Sequence, residues 1–99
     1  MSDTDLRLKA VTHEGRRAML RSTMTAERSA SELSAIAGLS RPAASQHLAV
    51  LVQSGLMTVR TDGRRRWYRA DRGNLDQLRS DLDVFWSDKL DALKRAAES

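Results

Sequence analysis

The sequence predicts a mainly α-helical fold with one small β-hairpin set among its helices, and three observations carry that prediction. Apolar residues recur at spacings of three and four over most of the chain. A single stretch, Leu56 to Ala70, instead alternates apolar and polar residues around Asp62-Gly63, and the helical stretches are separated by short intervals with Gly38, Gly55 and Gly73 at their edges. At 99 residues the chain has room for one domain, spanning 1–99, and for only a thin core.

Thr4 to Val11 is expected to form a short first helix with Leu6 and Ala10 on one side. Glu14 to Met24 reads as a second, with Ala18, Met19 and Leu20 as its apolar surface and Arg16, Arg17 and Arg21 facing water. A third starts at Ser31-Glu32, carries Leu33, Ile36 and Ala37, and ends at Gly38, because glycine takes the left-handed conformation that closes a helix. Ser40 caps a fourth, which holds Pro42 in its first turn, where a missing amide donor does no harm, and stops at Gly55. In the hairpin that follows, a turn at Asp62-Gly63 places Met57, Val59 and Tyr68 on one face. Thr58, Arg60, Arg65, Trp67 and Arg69 fall on the other, so one face should pack while the other is cationic. After Gly73 a long last helix repeats Leu75, Leu78, Leu82, Phe85, Trp86, Leu90 and Leu93.

Charge divides the chain in the same places. Seventeen Lys and Arg against thirteen Asp and Glu leave a net +4, and fourteen of the seventeen are arginine, a bias suited to phosphate and base-edge recognition. Residues 28–72 hold +5 of that total, residues 1–27 hold +1 and residues 73–99 hold −2. A polyanion is therefore expected at the middle of the chain and packing at its ends.

Two short helices joined through Ala37-Gly38-Leu39-Ser40 make a helix-turn-helix over 29–54, whose second helix would enter a major groove of double-stranded DNA. At 100° per residue Ala44, Leu48 and Leu51 cluster as core, leaving Pro42, Ser45, Gln46, Ala49 and Gln53 opposite. Small side chains on that face permit close approach, and an amide can pair with adenine in bidentate fashion. Arg41 flanks the helix start, and Arg60, Arg64, Arg65 and Arg66 on the 56–70 hairpin suit contact with phosphates or a minor groove. Trp67 is expected to pack against a neighbour in preference to stacking on bases.

The segment SASELSAIAGLSRPAASQHLAVLVQSGLMTVRTDGRRRWYRAD resembles the winged helix-turn-helix of the ArsR/SmtB repressors. Its Leu-Ser, Ser-Gln-His-Leu, Gly-Leu and Arg-rich hairpin ending in Tyr-Arg follow that family's order, and the upstream HEGRRAML resembles the opening of its second helix. The resemblance covers roughly residues 6 to 95. It implies a homodimeric DNA-binding regulator acting as a repressor, in which Arg41, Ser45 and Gln46 take base-reading positions and Arg64 and Arg65 the wing tip. Where the metal-sensing members carry a Cys-containing motif, this chain reads Glu32 to Ala37 without a thiol, and 73–99 contains no histidine. The resemblance is thus closer to the cysteine-free, non-metal-sensing branch, sometimes autoregulatory, and implies no inducer in particular.

The last helix, about 24 residues and some 36 Å at 1.5 Å per residue, overhangs so small a domain. Its surplus apolar length over 73–97 points to a second copy of the chain, with Leu78, Leu82, Phe85, Trp86, Leu90 and Leu93 at the interface and Leu6 and Ala10 joining from the first helix. No cysteine is present, and the two histidines lie 34 positions apart, so no metal site and no cofactor are expected. His13 is read as capping or neighbouring the second helix and His47 as a structural or phosphate hydrogen-bonding group. Ser45 and His47 diverge on a helix and no acid orients the histidine, so no enzyme is expected. No apolar run approaches a membrane span and the N-terminus is acidic, which fits a cytoplasmic protein with no membrane partner. The competing class is a protein-interaction module that keeps the fold without binding DNA.

Overall fold

Each helix begins where an acceptor takes over a free backbone amide. In the computed structural model, which describes residues 2–98, Ser2 Oγ accepts from Asp5 N and opens α1 (Asp3–Ala10), and His13 Nδ1 accepts from Gly15 N and opens α2 (Glu14–Ser22). Ser29 and Glu32 cap each other's amides at the start of α3 (Ala30–Ala37), and Ser40 Oγ accepts from Ala43 N at the start of α4 (Arg41–Gln53). Asp71 Oδ1 accepts from Asn74 N in the first turn of α5 (Arg72–Glu98). The third helix therefore starts before Ser31. Glu32 is the reciprocal member of its capping box, three residues after the cap, and not its opening residue.

Between α2 and α3 lies β1 (Arg28–Ser29), a strand too short to show any periodicity in the sequence. With β2 (Met57–Asp62) and β3 (Arg65–Ala70) it completes an antiparallel sheet of order β1-β3-β2, so three strands stand where a hairpin alone was expected. Asp62 pairs with Arg65, which puts the turn at Gly63-Arg64, one residue later than expected. Gly63 alone takes a positive φ, 62°, as a type II′ turn requires of its first central residue. The later turn moves each partner by two positions, from Val59 against Arg66 to Val59 against Tyr68, and an even shift leaves the two faces unchanged.

The core forms where α2, α3 and α4 meet the base of the sheet, with Met19, Leu33, Leu48, Leu51, Leu56 and Met57 fully buried. Packing of the sheet is confined to that base. Met57, Tyr68 and Ala70 are buried, whereas Val59, Thr61 and Arg66 on the same face are exposed, so β2 and β3 project as a wing. The base is pinned to the end of α2 by Ala70 N donating to Thr23 O at 3.1 Å, and Asp71 N donating to Leu56 O at 2.8 Å prolongs the β2–β3 pairing by one rung.

The long helix leaves this body early. Leu78 is its one buried residue, Leu75 and Leu82 lie against the core edge, and Thr4 Oγ1 of α1 donates to Asp81 Oδ2 at 2.7 Å. Beyond that point α5 continues alone, giving the protomer extents of 63 × 25 × 23 Å. Two expected interface residues change place here. Ala10 and Leu78 are buried in the protomer's own core, where they have no surface left to offer a partner.

Candidate nucleic-acid interface

The exposed side of α4 is built by what the opposite side buries. Ala44, Leu48 and Leu51 point into the core, and the 100° step then turns Pro42, Ser45, Gln46, Ala49 and Gln53 outward, all of them exposed. Gly38, in the left-handed conformation at φ 66°, ends α3, and two residues later Ser40 starts α4, so the turn is short and α4 is held against α3 at its N-terminal end. Leu39 is partly buried against the core and its carbonyl accepts from Ser34 Oγ at 2.6 Å, which fixes the turn itself.

The wing stands beside this helix. Arg64, Arg65 and Arg66 are exposed at its tip, and together with Arg41, Ser45, Ser29 and Ser31 they line an open cleft of about 410 Å³ between α3, α4 and the sheet. Four guanidinium groups converge there. The N-termini of α3 and α4 add their positive ends, since both begin at its edge. Arg41 Nη1 hydrogen-bonds Ser31 Oγ, so this arginine is aimed into the cleft by α3. A second hollow, lined by Ser45, Ala49, Gln53, Val59 and Arg66, joins the outward face of α4 to the wing.

Arg60 is placed differently from the tip arginines. Its Nε donates to Glu27 Oε2 at 2.6 Å, and Nη1 lies 3.9 Å from Asp62 Oδ2, so a carboxylate already occupies it. Trp67, opposite Arg60 in the register, is half-buried beneath Arg60 and Arg65, each guanidinium 6.0 Å from the ring. It packs as expected and stiffens the cationic face.

Behind α4 the structure joins groups that lie far apart in sequence. The His13 and His47 rings approach to 4.1 Å between centroids, and Arg16 Nη1 lies 2.9 Å from His47 Nδ1. The same guanidinium donates through Nε to Ala10 O at 2.7 Å and through Nη2 to Lys9 O at 3.1 Å. Arg16, expected in water, is instead a half-buried clamp that holds the end of α1 to α4, one residue from Gln46. Burial, with His13 and Arg16 alongside, lowers the pKa of His47 below its usual value. The sequence around Arg16 gives no hint of this, because an arginine that bonds carbonyls reads like one that faces solvent. Among the described residues no cluster of three or more His, Cys, Asp or Glu could hold a metal ion.

A helix-turn-helix with a cationic antiparallel wing defines a winged helix-turn-helix of the DNA-binding class. The model of the family described as "Bacterial regulatory protein, arsR family" matches residues 13–59. A structure described as a possible transcriptional regulator for arsenical resistance is 39% identical, covers 100% of this chain and 98% of its own, and superposes with a TM-score of 0.77. The chain belongs to the ArsR family of transcriptional regulators, a non-enzymatic class that binds DNA through this domain. The HTH-type transcriptional regulator Rv2034 of Mycobacterium tuberculosis is 44% identical over 61 residues, which is 62% of this chain and 57% of that protein, so the match spans little more than half of the relative. The homodimeric winged helix-turn-helix DNA-binding domain Mb0332 of Mycobacterium bovis, 24% identical over 89% of this chain and 82% of its own, shares the fold with a TM-score of 0.69. Among the described residues no helix is long and apolar enough to cross a membrane.

Proposed function

We propose that this chain, a single domain over residues 1–99, acts in the cytoplasm as a homodimeric repressor that reads a pseudo-palindromic operator. The observation that carries the reading is the joining of two unlike surfaces: the small and amide face of α4, and the arginine cleft between α4 and the wing. The α4 helices of the two copies enter successive major grooves, roughly 34 to 36 Å apart. There Gln46 and Ser45 read base edges, while Pro42 and Ala49 are small enough to let the helix approach. Arg41, Arg64, Arg65 and Arg66 hold phosphates and supply most of the affinity, which makes binding strongly salt-dependent. Arg60 joins them by exchanging Glu27 for a phosphate oxygen.

The two copies meet through the distal part of α5 and through Leu6 of α1. Phe85, Trp86, Leu90 and Leu93 are 50 to 67% exposed on a helix that nothing else in the protomer covers, and Leu82 continues their stripe to the core edge. Mb0332, which has this fold, is described as homodimeric. Repression follows from occupancy of a promoter. Protection footprinting on the DNA upstream of the protein's own coding region tests the whole reading: two protected half-sites one helical turn apart are expected. A chain that sediments as a monomer and ignores duplex DNA at low salt would make it an interaction module instead.

A further inference from the structure

A second concave surface lies away from the wing, where α5 leaves the body. Val11, Leu20, Met24 and Leu75 form its apolar floor, and the open groove above them measures about 420 Å³, within the range of small-molecule sites. Its rim is cationic: Arg17, Arg21 and Arg79 surround the floor and Asp76 is the one acid among them. None of the three arginines takes part in an ion pair among the described residues. Arg17 is steadied by its Nη1 donating to Val11 O at 2.8 Å, so one guanidinium is already held at the groove's edge.

Apolar floor and arginine rim together select a ligand with two parts. The geometry points to a free amphipathic organic anion, such as a medium-chain or aromatic carboxylate, as the occupant of this groove. Its apolar body would cover Leu20, Met24 and Leu75, and its carboxylate would lie against Arg21 and Arg79, with Arg17 behind. The excess of three guanidinium groups over one carboxylate disfavours a cation there, and a small hydrophilic anion would leave the floor wet. The ligand would touch α1, α2 and α5 at once, because the lining residues come from the C-cap of α1, from α2 and the turn after it, and from the first turns of α5.

Decanoate is a suitable probe, titrated calorimetrically into the full chain without DNA, so that the result is independent of the DNA-binding reading. Saturable binding of one equivalent per chain is expected, with decanol of the same length and acetate of the same charge each at least tenfold weaker. Carbon-13 methyl spectra localise the site, because Met24 lines the groove and Met57 lies in the core. The Met24 methyl resonance should move with decanoate while that of Met57 stays. The exposed pair Arg21→Gln and Arg79→Gln should weaken binding at least tenfold without loss of helicity. Absence of saturation at millimolar decanoate, an unmoved Met24 methyl, or equal binding by the arginine variant would overturn the proposal. A thiol introduced by Met24→Cys should react with a small reagent in the dimer. Protection that vanishes in a Trp86→Glu, Leu90→Glu monomer would make the second copy the occupant and overturn it as well.

Discussion

The recognition helix α4 and the distal half of α5 are both helices with a face in water, and the two faces are opposite in kind. On α4 the apolar residues Ala44, Leu48 and Leu51 are buried, and small, hydroxyl and amide side chains face out. On α5 past Leu82 the apolar residues themselves face out, with Val84, Phe85, Trp86, Leu90 and Leu93 all exposed. Phe85 and Trp86 meet edge to face at 5.7 Å and Lys89 lies 5.8 Å from the Phe85 ring, contacts that cover only part of this surface. The first helix is complete within the protomer and presents groups that hydrogen-bond a ligand. The second is incomplete, since at about 25 cal/mol per Å² its exposed apolar area is stabilised only when something apolar covers it.

The largest expected effect follows from that incompleteness. Trp86→Glu with Leu90→Glu should convert the dimer to a monomer in sedimentation while the winged body keeps its fold. Operator affinity should fall on the order of 10²-fold or more, because a monomer loses the second half-site held at high effective concentration. A variant that stays dimeric would move the interface elsewhere. Gln46→Ala comes next, with a loss of about 1 to 3 kcal/mol confined to one base step. Equal weakening on operator and random DNA would remove that residue from base reading. Arg65→Ala should act in the contrary manner, weakening all sequences a few-fold and lowering the salt slope by about 0.9. The pair of variants thus separates the reading face of α4 from the holding face of the wing.

How far the sequence alone carried depends on how each feature is encoded. The order of helices, the wing and the outward face of α4 were legible because each is written as a period or as a glycine or serine at a helix end. Family membership rested on the ordered motif from Ser29 to Asp71. The parts that were missed depend on distance in space. β1 is two residues long and exists because β3 passes beside it, with Arg28 opposite Tyr68 and Ser29 opposite Trp67. The turn moved to Gly63-Arg64 because Asp62 pairs in the ladder with Arg65. Leu78 shares the spacing of the α5 stripe and Ala10 the side of α1 that carries Leu6, yet both sit where α1 and α5 still touch the body, so their burial is internal. Arg60 belongs to the cationic face of the wing by its alternation, but its pairing with Glu27, 33 positions away, is written only in the fold.

The clamp behind α4 yields the smallest effect and tests how tightly the reading helix is tied to the body. His47 has its folded pKa below the ordinary value of 6.5, from burial first and from His13 and Arg16 second. Near and below that value the unfolded chain binds more protons at this site than the folded chain does, so stability rises with pH there. The contribution is complete above the unfolded pKa and is lost as pH falls from about 7 towards 5, with a slope of at most about 1.4 kcal/mol per pH unit from one histidine. Protonation would also place a cation against Arg16 and remove the Nδ1 lone pair that the guanidinium uses. His47→Gln should flatten this part of the profile in denaturant titrations at several pH values, while leaving the acid limb below pH 4.5, where Glu32 and Asp81 titrate with lowered values, in place. An unchanged slope in the variant would assign the loss to another group and leave Arg16 as a clamp that works through the α1 carbonyls alone.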